Sequence, residues 1–212
     1  MSRKYQLKRR AEHQEETRQR IVEAAVELHG SVGPAYTTIR AIAERAGVER
    51  ATVYRHFPDE RSLFTACTGH YLAANPPPDP APLQRIADPD QRLQVGLAEI
   101  YAYHRRTEEM TSKAQRDLPQ FPALAEVLVP YVEHWARLGA VLVAGWQTQK
   151  DDGKLVRAAI GHAMNFQTWR SLAREEELDD AEAVKLMVAM IRCVAQGSED
   201  APTPHRQGHM AE

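Results

Sequence analysis

Arg50, Thr52, Tyr54, Arg55 and His56 crowd two guanidinium groups, a hydroxyl, a phenol and an imidazole into one short segment. Each of these groups bonds phosphate oxygens or the edges of bases. At helical spacing they are mostly excluded from the apolar face that Val48, Val53 and Phe57 define. The pattern suits recognition better than catalysis. The chain holds no phosphate-binding loop, nucleophile elbow, metal-ligand cluster or paired-carboxylate arrangement. His104, His134 and His162 stand apart, none paired at the spacing of three or four that a metal site on a helix needs. No cofactor is called for. A helical hairpin with a solvated polar face is the bland alternative for the segment itself.

That segment needs a partner element to hold it. The stretch Thr37 to Phe57 reads TTIRAIAERAGVERATVYRHF, two short helical patterns (Thr38 to Ala46 and Arg50 to Phe57) around Gly47-Val48-Glu49. Ile39, Ile42, Ala43 and Ala46 give the first an apolar face. Gly47 suits the left-handed conformation that stops a helix, and Ala43 four residues earlier allows a close crossing. This is the layout of a helix-turn-helix, whose second helix enters the major groove. Thr37 or Thr38 is placed to cap the first helix.

The longer match, from Thr17 to Phe64, resembles the tetracycline-repressor (TetR) family of bacterial transcription regulators. It rests on Ala46-Gly47-Val48, then Ala51-Thr52-Val53-Tyr54-Arg55-His56-Phe57, and Leu63. The resemblance implies an all-α fold of about nine helices, a helix-turn-helix domain followed by an effector-binding and dimerisation domain. It implies a DNA face made of Thr37, Thr38, Arg40, Arg50, Ala51, Thr52, Tyr54, Arg55, His56 and Arg61. Tyr54 and His56 would chiefly fix docking on phosphates, and Arg50, Thr52 and Arg55 would meet base edges. Two residues depart from the family pattern. Glu60 replaces a lysine that bonds phosphate from the start of the next helix, with Arg61 the available substitute. Glu49 replaces the usual Ser or Thr cap before the reading helix.

Charge agrees with one DNA-binding end. Residues 1–61 carry 12 Lys/Arg and 9 Asp/Glu, whereas the remainder carries 15 and 20, so a net of −2 hides a mildly basic front and an acidic back. No apolar run has the length of a membrane span, and the basic N-terminus lacks the apolar centre of a signal peptide. Cys67 and Cys193 both fall in apolar helical patterns and are expected buried and reduced. A cytoplasmic protein is expected.

In order, residues 1–11 are expected as a flexible basic arm able to neutralise phosphates, and 12–58 as the helix-turn-helix domain with a first helix from Glu12 to Ser31. Residues 59–74 read as a connecting helix. The prolines of 75–90 exclude regular helix and predict a stiff, extended connector. Residues 91–196 form the second domain, with a turn at Asp151-Asp152-Gly153, and 197–212 read as a disordered tail. The last two helices, about 154–175 and 180–195, are apolar on more than one narrow stripe. That breadth implies burial on two sides, and the resemblance supplies the second side: a copy of the same chain.

The resemblance also implies a cavity for a small molecule among the middle helices. Tyr101, His104, Met110, Phe121, Trp135, Leu138, Leu142, His162, Phe166 and Trp169 are its candidate lining, and their composition suggests an apolar or aromatic ligand. The expected function is a homodimeric repressor of a palindromic operator, released by that ligand. A ligand-independent regulator or an activator is the alternative, and an all-helical enzyme with a fortuitous hairpin is a third reading.

Overall fold

The computed structural model describes residues 3–146 and 152–196. The expected tail at 197–212 and Asp151 of the expected turn lie outside the described residues. Eleven α-helices and no strand occur among the described residues: α1 (Arg3–Ser31), α2 (Ile39–Ala46), α3 (Arg50–His56), α4 (Glu60–Ala74), α5 (Pro80–Gln84), α6 (Pro89–Asp117), α7 (Pro122–Val127), α8 (Val129–Val143), α9 (Asp152–Ala163), α10 (Phe166–Arg170) and α11 (Asp180–Gln196). Short 3₁₀ turns at Pro34–Tyr36 and Leu118–Gln120 join neighbours, and a π-helical turn, Ser171–Glu175, extends α10. Within the described residues no helix is long and apolar enough to cross a membrane.

Two local features add helices beyond the expected nine. The segment expected as one helix over 154–175 breaks at Asn165, which is extended and caps α10 by accepting from Gln167 N–H at 2.8 Å. The proline run, expected to be extended, contains α5. Asp79 caps it, and Pro80 stands at its first position, where a missing N–H costs nothing. Leu83, fully buried, repays the ordering. A third correction concerns the basic N-terminus: it continues α1 as helix from Arg3 instead of forming a flexible arm. No Gly or Pro interrupts residues 3–29, and Lys8–Glu12 and His13–Glu16 pair along the helix at favourable spacing.

The chain packs as two compact units, one of residues through Pro77 with Tyr103–Ala136, the other of Pro78–Ala102 with residues from Arg137 onward. The core of the first joins Ile21, Ala25, Ile42, Ala43, Val53 and Phe57, with Leu63 and Cys67 of α4 packed on them. Residues 103–136, expected beyond a connector, belong to this unit because several side chains tie them in. Phe121 meets Phe64 edge-on at 5.6 Å, Arg61 pairs with Glu126 at 3.0 Å, and Asp117 accepts a hydrogen bond from Ala35 N–H at 3.0 Å. In the second unit Leu93, Leu97, Tyr101, Leu138, Leu142, Ile160, Trp169 and Ile191 are fully buried, and α9 lies against α11. Cys67 is buried as expected, but Cys193 is exposed: it falls on a stripe of α11 that the single chain leaves uncovered.

Candidate nucleic-acid interface

Two helices and one turn position the reading face. Thr38, not Thr37, caps α2, its hydroxyl oxygen accepting from Ala41 N–H at 3.1 Å. The Thr37 hydroxyl instead donates to the Gly33 carbonyl at 2.8 Å. Gly47 ends α2 with φ 65° and ψ 42°, the left-handed conformation that glycine adopts without a steric penalty. Val48 N–H then closes back onto the Ala43 carbonyl at 3.0 Å, satisfying an end carbonyl that would otherwise lack a partner. From α1, Arg20 donates to the Ala46 carbonyl at 3.0 Å and fixes the same corner.

Only Val53 of α3 is buried within the helix, with Phe57 just beyond its end. Arg50, Ala51, Tyr54 and Arg55 are exposed, and Thr52 and His56 are half-buried. Arg55 Nη2 donates to Thr52 Oγ1 at 3.2 Å, so the two side chains share one orientation. The Glu49 side chain makes no capping bond at the start of α3; its carbonyl accepts from Thr52 N–H at 2.9 Å and Val53 N–H at 3.3 Å. Burial, then the charges of Arg55 and Arg18, hold His56 below the usual imidazole range, with Glu15 opposing.

The remaining DNA candidates are exposed but already engaged. Arg40 Nε holds Glu44 at 2.8 Å along α2. Arg61, the substitute expected for the anchor missing at Glu60, pairs with Glu126 of α7 at 3.0 Å. Sequence spacing gives no sign of that partner, 65 residues away by number. Asp59 caps α4, accepting from Ser62 N–H at 2.7 Å; this bond holds its carboxyl below the usual range.

The ten ligand candidates divide between the units. His104, Met110, Phe121 and Trp135 fall in the first; Tyr101, Leu138, Leu142, His162, Phe166 and Trp169 fall in the second. In the first, His104 stacks on Trp135 with ring centroids 5.5 Å apart, and Phe121 packs on Phe64. Tyr103 and Tyr131, absent from the candidates, complete the group around Trp135, their hydroxyls 3.2 Å apart. Burial pushes the Tyr103 phenol up. In the second unit Tyr101 donates to the Ala163 carbonyl at 3.0 Å, Phe166 tilts onto Trp169 at 5.7 Å, and Trp169 donates to Asp180 at 2.9 Å. His162 is exposed. No group of His, Cys, Asp and Glu able to hold a metal occurs among the described residues.

Residues 21–67 match the family described as bacterial regulatory proteins, tetR family. Curated relatives match over 24–28% of this chain. The HTH-type transcriptional regulator AcrR of Shigella flexneri is 41% identical over 51 residues, 24% of each chain. SrpR of Pseudomonas putida is 46% identical over 52 residues, again 24% of each, and TtgR of Pseudomonas putida is 42% identical over 60 residues, 28% of this chain and 29% of its own. The matches thus span about a quarter of those relatives' length. Among solved structures, a TetR-like regulator from Rhodococcus sp. RHA1 superposes with a TM-score of 0.59 at 18% identity, covering 87% of this chain and 97% of its own. FadR from Bacillus subtilis, solved with stearoyl-CoA, gives 0.54 at 20% identity over 84% of this chain and 98% of its own. The likeness in fold therefore extends well past the matched front end.

Proposed function

We propose that this chain, whose residues 21–67 match the bacterial regulatory proteins of the tetR family, is a member of that family and a homodimeric, ligand-responsive transcriptional repressor acting in the cytoplasm. The observation that carries this reading is α3: one buried valine holds it, while Arg50, Tyr54 and Arg55 face outward and Thr52 and His56 stand beside them. Such a helix fits the major groove, with Tyr54 and His56 on phosphates and Arg50, Thr52 and Arg55 toward base edges. Thr37, Thr38, Arg40 and Ala51 would border the strand. Arg61 would have to leave Glu126 to join them.

Dimerisation is supported by the uncovered face of the last helices. Leu186, Met190 and Cys193 recur at helical spacing and are exposed on α11, and Leu155 is exposed on α9. A two-fold pair of such faces would bury them and demand a roughly palindromic operator, with reading helices about 34–36 Å apart. A ligand releases such a dimer only by binding the DNA-incompetent form more tightly. Support for an apolar effector comes from the aromatic residues of both units and from the fold shared with the stearoyl-CoA-bound FadR.

Selection of bound fragments from a random duplex pool should yield a palindrome. With that operator, Tyr54→Ala combined with His56→Ala should weaken binding to specific and random DNA alike. Arg50→Ala should reduce discrimination by about 1–3 kcal/mol if it makes a bidentate base contact. Unchanged affinity in the double variant would refute the docking.

A further inference from the structure

We propose that Arg18 of α1 is a positioning residue for the reading helix: its guanidinium, lying over the Phe57 ring, fixes the end of α3 and with it the directions in which Arg50, Thr52 and Arg55 point. The inference rests on the DNA-binding reading above and adds a residue that acts through α3 and not on DNA. A helix of seven residues cannot hold itself in water, so tertiary contacts set its orientation. Glu49 gives α3 no side-chain cap, and Val53 is the single side chain buried within it. One anchor leaves a short rod free to pivot. Phe57, one turn after Val53 and 3% exposed, supplies the second, and its N–H donates to the Val53 carbonyl at 2.8 Å.

α1 reaches α2 and the end of α3 by different chemistry. It holds the end of α2 with polar bonds: Arg20 donates to the Ala46 carbonyl at 3.0 Å, and Glu27 pairs with Arg45 at 2.6 Å. At the end of α3 it places a cation on an aromatic face. The central carbon of the Arg18 guanidinium stands 4.4 Å from the Phe57 ring centroid, inside the range of a cation–π contact. Arg18 is half-buried, and its Nη1 is buried with no hydrogen-bond partner among the described residues. A guanidinium edge kept from water, with no polar bond in return, owes its place to the ring.

The same charge reaches past Phe57 on both sides. Burial, and then Arg55 and Arg18, lower the titration of His56, the last residue of α3, while Glu15 opposes them. Burial pushes the Cys67 thiol of α4 up to about 12, and Arg18 opposes it. Arg18 therefore stands where α1, the end of α3 and α4 converge.

The test compares the full chain with Arg18→Met, which keeps an unbranched stem and a good helix former, and with Arg18→Lys, which keeps the charge. Binding to the selected operator and to random duplex is titrated from about 50 to 200 mM salt, with folding checked by circular dichroism. Arg18→Met should weaken operator binding by about 5-fold per subunit, the fold-change that a half-buried cation–π contact amounts to. The operator-to-random ratio should fall with it, because base edges demand a fixed helix orientation. The slope of log affinity against log salt should stay as in the parent, whereas a lost phosphate contact would flatten it by about 0.9 per subunit. By NMR, His56 should titrate at higher pH in Arg18→Met, and Arg18→Lys should restore its titration and part of the affinity. In a Phe57→Leu background, Arg18→Met should add no further loss, the signature of one shared contact. Unchanged operator affinity, a flattened slope, an unmoved His56 titration or additive losses in the double variant would overturn the proposal while leaving the DNA-binding reading intact. A parent that binds no duplex at all would overturn both.

Discussion

Asp117→Ala should loosen the approach to α2 without touching any DNA-facing residue. Asp117 ends α6 and is 1% exposed. Its carboxylate accepts from Ala35 N–H at 3.0 Å and from Arg116 Nε at 2.6 Å, while Arg116 Nη2 donates to the Val32 carbonyl at 3.0 Å. Lys113, one turn earlier, donates to the Gly30 carbonyl. Together these bonds fasten the end of α1 and the loop before α2 to the last turn of α6. Gly33, at φ 98°, lies so near that a Cβ there would fall 2.5 Å from Asp117 Oδ2. The loop is thus shaped around that carboxylate.

The magnitude follows from the Ala35 bond. A hydrogen bond to a charged acceptor contributes about 1.5–3 kcal/mol, and its loss deprives the Ala35 N–H of that acceptor. The Arg116 pair adds little, because its guanidinium stands half in water. Amide hydrogen exchange in residues 31–46 should accelerate by about 10- to 150-fold, the equivalent of that range. Asp117→Asn, which keeps an oxygen for Ala35, should lose less. The charge also sets a pH signature. Arg116 and the Ala35 N–H hold the Asp117 carboxyl below its ordinary value. The stabilisation is therefore complete above the ordinary carboxylate range and disappears as pH falls through the lowered value. The difference between parent and Asp117→Asn should shrink at acid pH. Exchange in residues 31–46 unchanged by Asp117→Ala would refute the reasoning.

Three further outcomes follow from the same structure. Glu49→Ser should supply the side-chain cap that α3 lacks and raise stability by about 0.5–1 kcal/mol in urea unfolding; no gain would show that the backbone at this corner cannot present a cap. His29, buried beside Phe64 at 5.7 Å, is held down to about 4 by burial. The unfolded chain takes up a proton below the ordinary value of 6.5 that the folded chain refuses until about 4, so stability should fall across that window as pH drops. The loss approaches about 3 kcal/mol, and urea unfolding of His29→Phe, set against the parent, should lack it. Leu186→Glu with Met190→Glu should convert dimer to monomer by light scattering; a persistent dimer would move the interface away from α11.

What the sequence disclosed and what it hid divide by range of interaction. The reading corner was legible because everything that builds it is local: the glycine that turns, the threonine that caps three residues ahead, and the valines and Phe57 that set one face. Ala46-Gly47-Val48 and Tyr54-Arg55-His56-Phe57 lie within a dozen residues, so spacing carried almost the whole geometry. The Asp117 bond to Ala35 spans 82 positions, and nothing about either residue announces the other. Periodicity likewise marks which face of a helix is apolar but not which other helix covers it. That is why Tyr101 and His104, three residues apart on one apolar face, pack in different units. The proline run misled for a different reason. A proline is forbidden in a helix interior by its missing donor and its ring, yet neither objection applies in the first turn. Composition counts prolines without seeing that Pro80 stands just after a capping Asp79. The corrections to α1, α5 and Cys193 each turn on where a residue sits within its element or what covers it there.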